Sequence, residues 1–385
     1  MGIEGEEDAE QRVTARNLRW IGGGLLLAAI CGAAQGQALG QASGPWVMEK
    51  SGTTAGLRGI HAVGGGVAWA SGTEGTVLRT EDGGYEWQSC ALPPGADKLD
   101  FRGVWAWDAD TAIVMSSGPG EASRLYKTTD GCSSWKLVAE NEDKDGFWDS
   151  IAMWTPTDGF LAGDPVNGHP FLGEVTQYGA PVKFTDNVLF GLPALEGEGA
   201  FAASNSCIVL GPFRTIDRKS RDVWFATGGS KGSRVIHYRH FNGGEPERVT
   251  TEVTDVPLFP RTQTGGIFSI ATTGDERHFV AVGGDYTKPN ESAGTAAWSA
   301  DGGKTWTAAA RPPHGFRSAV AWDGEAKAWI AAGTNGSDIS YDDGKTWEPL
   351  DGPATGGEWN ALSLPWVVGP QGRIAKLDGA KLRRK

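Results

Sequence analysis

The octapeptide SADGGKTW, Ser299–Trp306, decides the fold, because its turn recurs along the chain. SYDDGKTW stands at 340–347, TEDGGYEW at 80–87 and a decayed copy, TTDGCSSW, at 128–135. In each, a Ser or Thr and an Asp can satisfy the backbone N–H groups of the turn, while Gly supplies positive φ values. A tryptophan closes every copy, pairing Asp82 with Trp87, Asp130 with Trp135, Asp301 with Trp306 and Asp342 with Trp347. The pattern predicts an indole packed over its own hairpin, locking a third strand to a fourth.

Other phrases repeat in step with the turn. Apolar runs that close on Gly read as buried second strands: VAWASG (67–72), AIVMSSG (112–118), GFLAGD (159–164), VWFATG (223–228), FVAVGG (279–284), AWIAAG (328–333) and PWVVGP (365–370). Before each lies a first strand opened by a large apolar residue, as in LRGIHAV, FRGVWAW, FWDSIAMW, FAASNSCIVL, FSIATT, FRSAVAW and WNALSLP. Four antiparallel strands in roughly forty to fifty residues is the period of a propeller blade. The expected fold is therefore all-β, a seven-bladed β-propeller over 45–380. Its last blade lacks a fourth strand, and PWVMEK (45–50) is expected to supply it and remove two free edges. The repeat decays in EVTQYGAPV and YRHFNGGEP, and GPFRTIDRKSRD (211–222) reads as an insertion in the fourth blade.

The 385 residues include 58 Gly and 17 Trp, a composition suited to short strands and tight turns. A net charge of −12 leaves no basic stripe for phosphates and argues against nucleic acid as a partner. Residues 1–40 contain a basic flank and the apolar run WIGGGLLLAAICGAA (20–34), which reads as an export signal. The run is short and glycine-rich for a membrane span, and an uncleaved anchor is the alternative. An exported, periplasmic or extracellular monomer is expected, touching membrane only through that segment, with 381–385 a basic tail. Cys90 and Cys132 belong to adjacent repeats; either they form a bridge in an oxidising compartment or both are buried thiols. Six scattered histidines have no metal-ligand spacing, and no cofactor motif is present, so neither metal nor cofactor is expected.

SADGGKTW and SYDDGKTW match the Asp-box, or BNR repeat, of sialidase-like and sortilin-like propellers. From about residue 45 to 380 the chain resembles the photosystem II stability/assembly factor family and its relatives outside photosynthesis, in phrases such as GDPVNG, GEGAFAASN and GGDYTKP. The resemblance implies a non-enzymatic binding scaffold that assists assembly or stability of a membrane or envelope complex. It assigns no cofactor and no chemical step.

First-strand starts and second-to-third-strand loops share the face opposite the tryptophan turns, and candidate recognition residues lie there. Arg58, Arg102 and Arg317 occupy one aligned position, held by Trp148 in the third repeat, and Asn205 is a further candidate. Guanidinium groups gathered at an axis need anions, either protein carboxylates such as Asp149 and Asp164 or a ligand. The stretches GDPVNGHPF and GGDYTKPNESAG read as long loops and add His169, Asp285, Tyr286 and Lys288. The partner expected for this face is a protein or a small anionic ligand. Three arginines also admit a sialidase-like glycosidase, with Tyr286 and Glu291 as the available nucleophile pair. That family's early Phe-Arg-Ile-Pro motif is missing.

Overall fold

A computed structural model describes residues 44–176, 183–184, 187–212, 220–241, 248–258, 260–350 and 357–382. The expected signal (1–40), most of the insertion (213–219) and the end of the basic tail (383–385) lie outside the described residues.

Strand β1 (Trp46–Glu49) is followed by four strands of one sheet, β2 (Leu57–Gly64), β3 (Val67–Gly72), β4 (Val77–Thr80) and β5 (Gln88–Ser89). A second sheet holds β6 (Phe101–Ala106), β7 (Ala112–Ser116), β8 (Arg124–Thr128) and β9 (Lys136–Glu140). A third holds β10 (Trp148–Thr155), β11 (Asp158–Val166), β12 (His169–Thr176) and β13 (Lys183–Phe184). The next two repeats merge into one nine-stranded sheet. Its strands are β14 (Glu198–Gly199), β15 (Ile208–Leu210), β16 (Ser220–Gly229), β17 (Ser233–Phe241), β18 (Arg248–Val256), β19 (Gly265–Thr272), β20 (Phe279–Asp285), β21 (Ala296–Ser299) and β22 (Thr307–Ala308). Then come β23 (Ala319–Asp323), β24 (Ala328–Gly333), β25 (Gly336–Ser340) and β26 (Glu348–Pro349), and finally β27 (Ala361–Ser363), β28 (Trp366–Val368) and β29 (Ile374–Leu377). All pairings within these sheets are antiparallel.

The fold is an all-β propeller, but the expectation of seven separate four-stranded blades needs correction. Five sheets have four strands and one has nine. The merger occurs where Gly228 of β16 pairs with Gly266 of β19. A Cβ on Gly228 would overlap the Gly266 Cα, so only the absence of side chains lets the two backbones meet. At the other end of the chain, β1 pairs with β29 from Trp46↔Leu377 to Glu49↔Ile374 and completes the last sheet.

Apolar side chains from facing sheets form the core. Trp69 and Val77 of the first sheet pack with Phe101, Val104 and Tyr126 of the second; Phe160 and Leu172 of the third pack with Val223 and Phe225 of the nine-stranded sheet. The tryptophan turns serve this stacking. In all four, the Ser or Thr hydroxyl donates to the Asp carboxylate and accepts a backbone N–H four residues on, and the carboxylate accepts another N–H four residues beyond itself.

The indoles reach beyond the hairpin expected of them. Trp135 meets Trp69 of the preceding sheet edge-on at 6.3 Å, and Trp87 meets Trp366 of the last sheet at 6.1 Å. Trp347 is buried with Val280 and Val282 of the sheet before its own. These indoles therefore hold sheet to sheet as well as strand to strand. Trp306 differs: it is half-buried, donates to the Gly303 carbonyl and packs edge-on against Phe279 of its own repeat.

Cys132 occupies a turn position that is Gly84, Gly303 or Gly344 in the other copies, and keeps the left-handed backbone at φ 61°. Its thiol is bonded to Cys90, with Cα atoms 5.3 Å apart. The disulfide ties the first sheet to the second, which settles the alternative left open by the sequence. Cys207 is a buried free thiol, and desolvation pushes its pKa up to about 12.

Candidate functional site

Arg58 and Arg102 stand one residue into β2 and β6, as the aligned pattern placed them, and both turn toward Asp100. The Arg102 Nε–H donates to Asp100 Oδ2 at 2.8 Å; Arg58 Nε lies 3.9 Å from the other carboxylate oxygen and makes no hydrogen bond. All three side chains are partly exposed. One carboxylate thus lies between two guanidinium groups at the starts of two neighbouring inner strands. Asp100 was missed in the sequence, although DFR places it two residues before Arg102.

Arg317 corrects the idea of a three-arginine cluster. It is 0% exposed, donating to Asp338 Oδ2 from Nε at 2.7 Å and to the Phe316 carbonyl, with His314 and Asn335 completing its surroundings. A buried, fully partnered guanidinium cannot clamp a ligand carboxylate, and the arginine triad of a sialidase does not form. His314 also hydrogen-bonds Asp338, which raises its pKa above the ordinary histidine value.

Asp149 lies behind the exposed pair. It is 2% exposed, and its Oδ2 has no hydrogen-bond partner. Desolvation, then repulsion from Asp164, push its pKa well above the carboxylate range, against the attraction of Arg102 and backbone N–H groups of Ala202 and Asp164. Asp164 accepts the Ala200 N–H at 2.9 Å, and burial raises its pKa also. Trp148 is a core residue among Ile113, Met115 and Ile151 rather than a recognition surface.

GDPVNGHPF is not a long loop. β11 and β12 continue to the pair Val166↔His169, and Asn167 (φ 51°) with Gly168 (φ 80°) makes the two-residue turn. This is the Asn-Gly hairpin chemistry that left-handed φ values allow. His169 is held by a 2.9 Å contact between Nδ1 and the Leu192 carbonyl. In the other stretch Asp285 is buried and accepts from Thr262, Thr264 and Thr287, which hold its pKa low despite desolvation. Tyr286 is half-exposed against the edge of Phe268, and Lys288 lies 3.4 Å from Glu291. Of the expected loop residues, Tyr286 and Lys288 therefore remain on the surface.

No signal in the sequence marked the segment that follows β14. FAASNSCIVL was expected to be a continuous inner strand, yet residues 200–207 leave the sheet between β14 and β15. The segment crosses to other repeats instead. Asn205, in the left-handed region at φ 60°, accepts the Ile151 N–H at 2.8 Å and donates to the carbonyls of Ile151 and, at 3.4 Å, Val104. The Ser204 hydroxyl donates to the Ser318 carbonyl, and Ser206 donates to Ser269. Arg102 reaches the carbonyl of Ala202 at 3.3 Å. Asn205 is thus a structural bridge in a plug bonded to at least four other inner strands or their approaches.

Comparison with known proteins places this geometry in context. No family model matches the chain, and no curated protein matches it. Among solved structures it is similar to YCF48 bound to D1 peptide, with TM-score 0.55 and 14% identity over 86% of this chain and 96% of that one. YCF48 from Cyanidioschyzon merolae aligns with TM-score 0.40 and 16% identity, over 87% of this chain and 99% of that one. At 14% identity, the likeness to the first of these shows a shared fold.

Proposed function

We propose that this protein is an exported, non-enzymatic propeller that binds a protein partner and assists the assembly or stability of a membrane or envelope complex. The nine-stranded sheet counts as two blades in this reading, giving seven, with β1 closing the ring. The observation that carries the binding role is the shared Asp100. Two partly exposed arginine side chains with one carboxylate between them retain capacity for an anionic side chain or a chain terminus. Similarity to a propeller bound to a peptide supports a peptide-bearing partner. The Cys90–Cys132 disulfide supports export, since such bonds persist in oxidising compartments.

The test is affinity purification from the native organism with the wild type and the Arg58→Ala/Arg102→Ala variant. A specific protein should co-purify with the wild type, and the variant should lose it while keeping its melting temperature. Arg→Lys at either position should also weaken retention, because an ammonium cannot reproduce the planar contact. Retention unaffected by the double substitution would refute the arginine face as the binding site.

A further inference from the structure

Residues of the segment between β14 and β15, with inner strands of other repeats, line a cavity of about 390 Å³. That volume falls in the range of small-molecule sites, roughly 300–1,000 Å³. Its walls come from inner strands of several repeats: Ile60 and His61 on β2, Trp105 on β6, Met153 and Trp154 on β10, and Leu362 on β27. Asn205 and its neighbours Ser204 and Ser206 line it as well. His61 and Trp105 lie three residues beyond the two arginines on the same strands, about 10 Å further along. The cavity is therefore a separate site from the arginine face.

Its chemistry is distinctive in what it holds. Among the described residues, none of the fifteen that line it is Asp, Glu, Lys or Arg. His61 is the one imidazole among them, its ring tilted at 38° to that of Trp105 with centroids 4.3 Å apart; it is half-buried, and desolvation lowers its pKa to about 4. It is neutral at physiological pH. A charged ligand entering this space would lose hydration with no counter-charge among the described lining residues to replace it. Two polar groups remain available. Neither ring nitrogen of His61 has a hydrogen-bond partner among the described residues, and neutral imidazole offers one donor and one acceptor. The Ser363 hydroxyl accepts the Ala62 N–H at 2.9 Å, which leaves its own proton to donate. Trp154 is already satisfied by the Gly211 carbonyl at 2.8 Å and is fixed as a wall.

We propose that this cavity is a binding site for a small, neutral aromatic molecule carrying a single hydrogen-bonding group. The ring lies against the indoles of Trp105 and Trp154, and the polar group faces His61 and Ser363. Aromatic faces favour offset or edge contacts with another ring, and the unpaired imidazole selects against a purely hydrocarbon ligand.

Two dyes with a common scaffold test the assignment on the full chain. N-phenyl-1-naphthylamine is neutral, aromatic and carries one N–H; 8-anilinonaphthalene-1-sulfonate adds a sulfonate to the same rings. The neutral dye should show a saturable rise in fluorescence at one site, and the anionic dye should bind at least about tenfold more weakly. His61→Trp fills the cavity and should abolish the neutral dye's signal at an unchanged melting temperature. Ser363→Leu narrows the same space from β27 and should weaken binding at least about tenfold, so it decides the matter where His61→Trp does not fold. Absence of saturable binding, equal binding of the two dyes, or dye binding indifferent to both folded variants would overturn the proposal. The dye comparison on the wild type decides by itself if neither variant folds.

Discussion

Asp149→Asn should stabilise this protein, and the gain should grow with pH. The carboxyl is buried, one oxygen has no hydrogen-bond partner, and its pKa in the folded state is raised well above the unfolded value. Above the unfolded pKa the folded state consequently holds more of this proton than the unfolded state does. Stability must then fall as pH rises from about 4 up to the folded pKa, by about 1.4 kcal/mol for each unit. Asparagine retains an oxygen for the backbone N–H groups of Ala202 and Asp164, and it removes both the titration and the repulsion from Asp164. Below about pH 4 the wild type is protonated in both states, so the variant's relative stability is flat there. The assay is urea unfolding of both proteins at half-unit steps from pH 4 to 8, followed by tryptophan fluorescence. A stability difference between variant and wild type that does not change over this range would refute the reasoning. A difference that moved against the variant with rising pH would show that the Arg102 attraction outweighs desolvation.

Two further outcomes follow from the packing. Trp347→Ala should cost about 3–5 kcal/mol, because the indole is buried between sheets; the half-buried Trp306→Ala should cost roughly 1–2 kcal/mol, and equal losses in denaturant unfolding would contradict the difference in packing. The Cys90→Ser/Cys132→Ser variant should lose about 4 kcal/mol, the chain-entropy value for a loop with a sequence separation of 42, and calorimetry showing no drop in melting temperature would rule the bridge out as a stabilising element.

Sequence by itself determined the repeat, the all-β class and the place of nearly every inner and second strand. It could do so because the signals are local. The tryptophan turn is built from hydrogen bonds between residues two and four apart, and a glycine or a short polar residue at each position reports the backbone directly. Strand β1 was legible for a related reason, since one repeat lacked a strand and one segment lacked a repeat. The disulfide was visible as a possibility, and tertiary placement of the two turns decided it.

What only the tertiary structure decided depends on residues far apart in the chain. FAASNSCIVL has the composition of a strand, but Asn205 finds partners 54 residues away at Ile151, and Ser204 reaches 114 residues to Ser318. Those bonds satisfy polar groups across the channel, and local propensity carries no record of them. The arginines show the same limit. Arg58, Arg102 and Arg317 share a position in the repeat, yet Asp100 is shared by the first two and Asp338 buries the third. A repeat fixes where a side chain begins; the charge it meets at its far end depends on which carboxylates the neighbouring sheets bring within reach, and that decides whether a guanidinium faces solvent or is sealed inside.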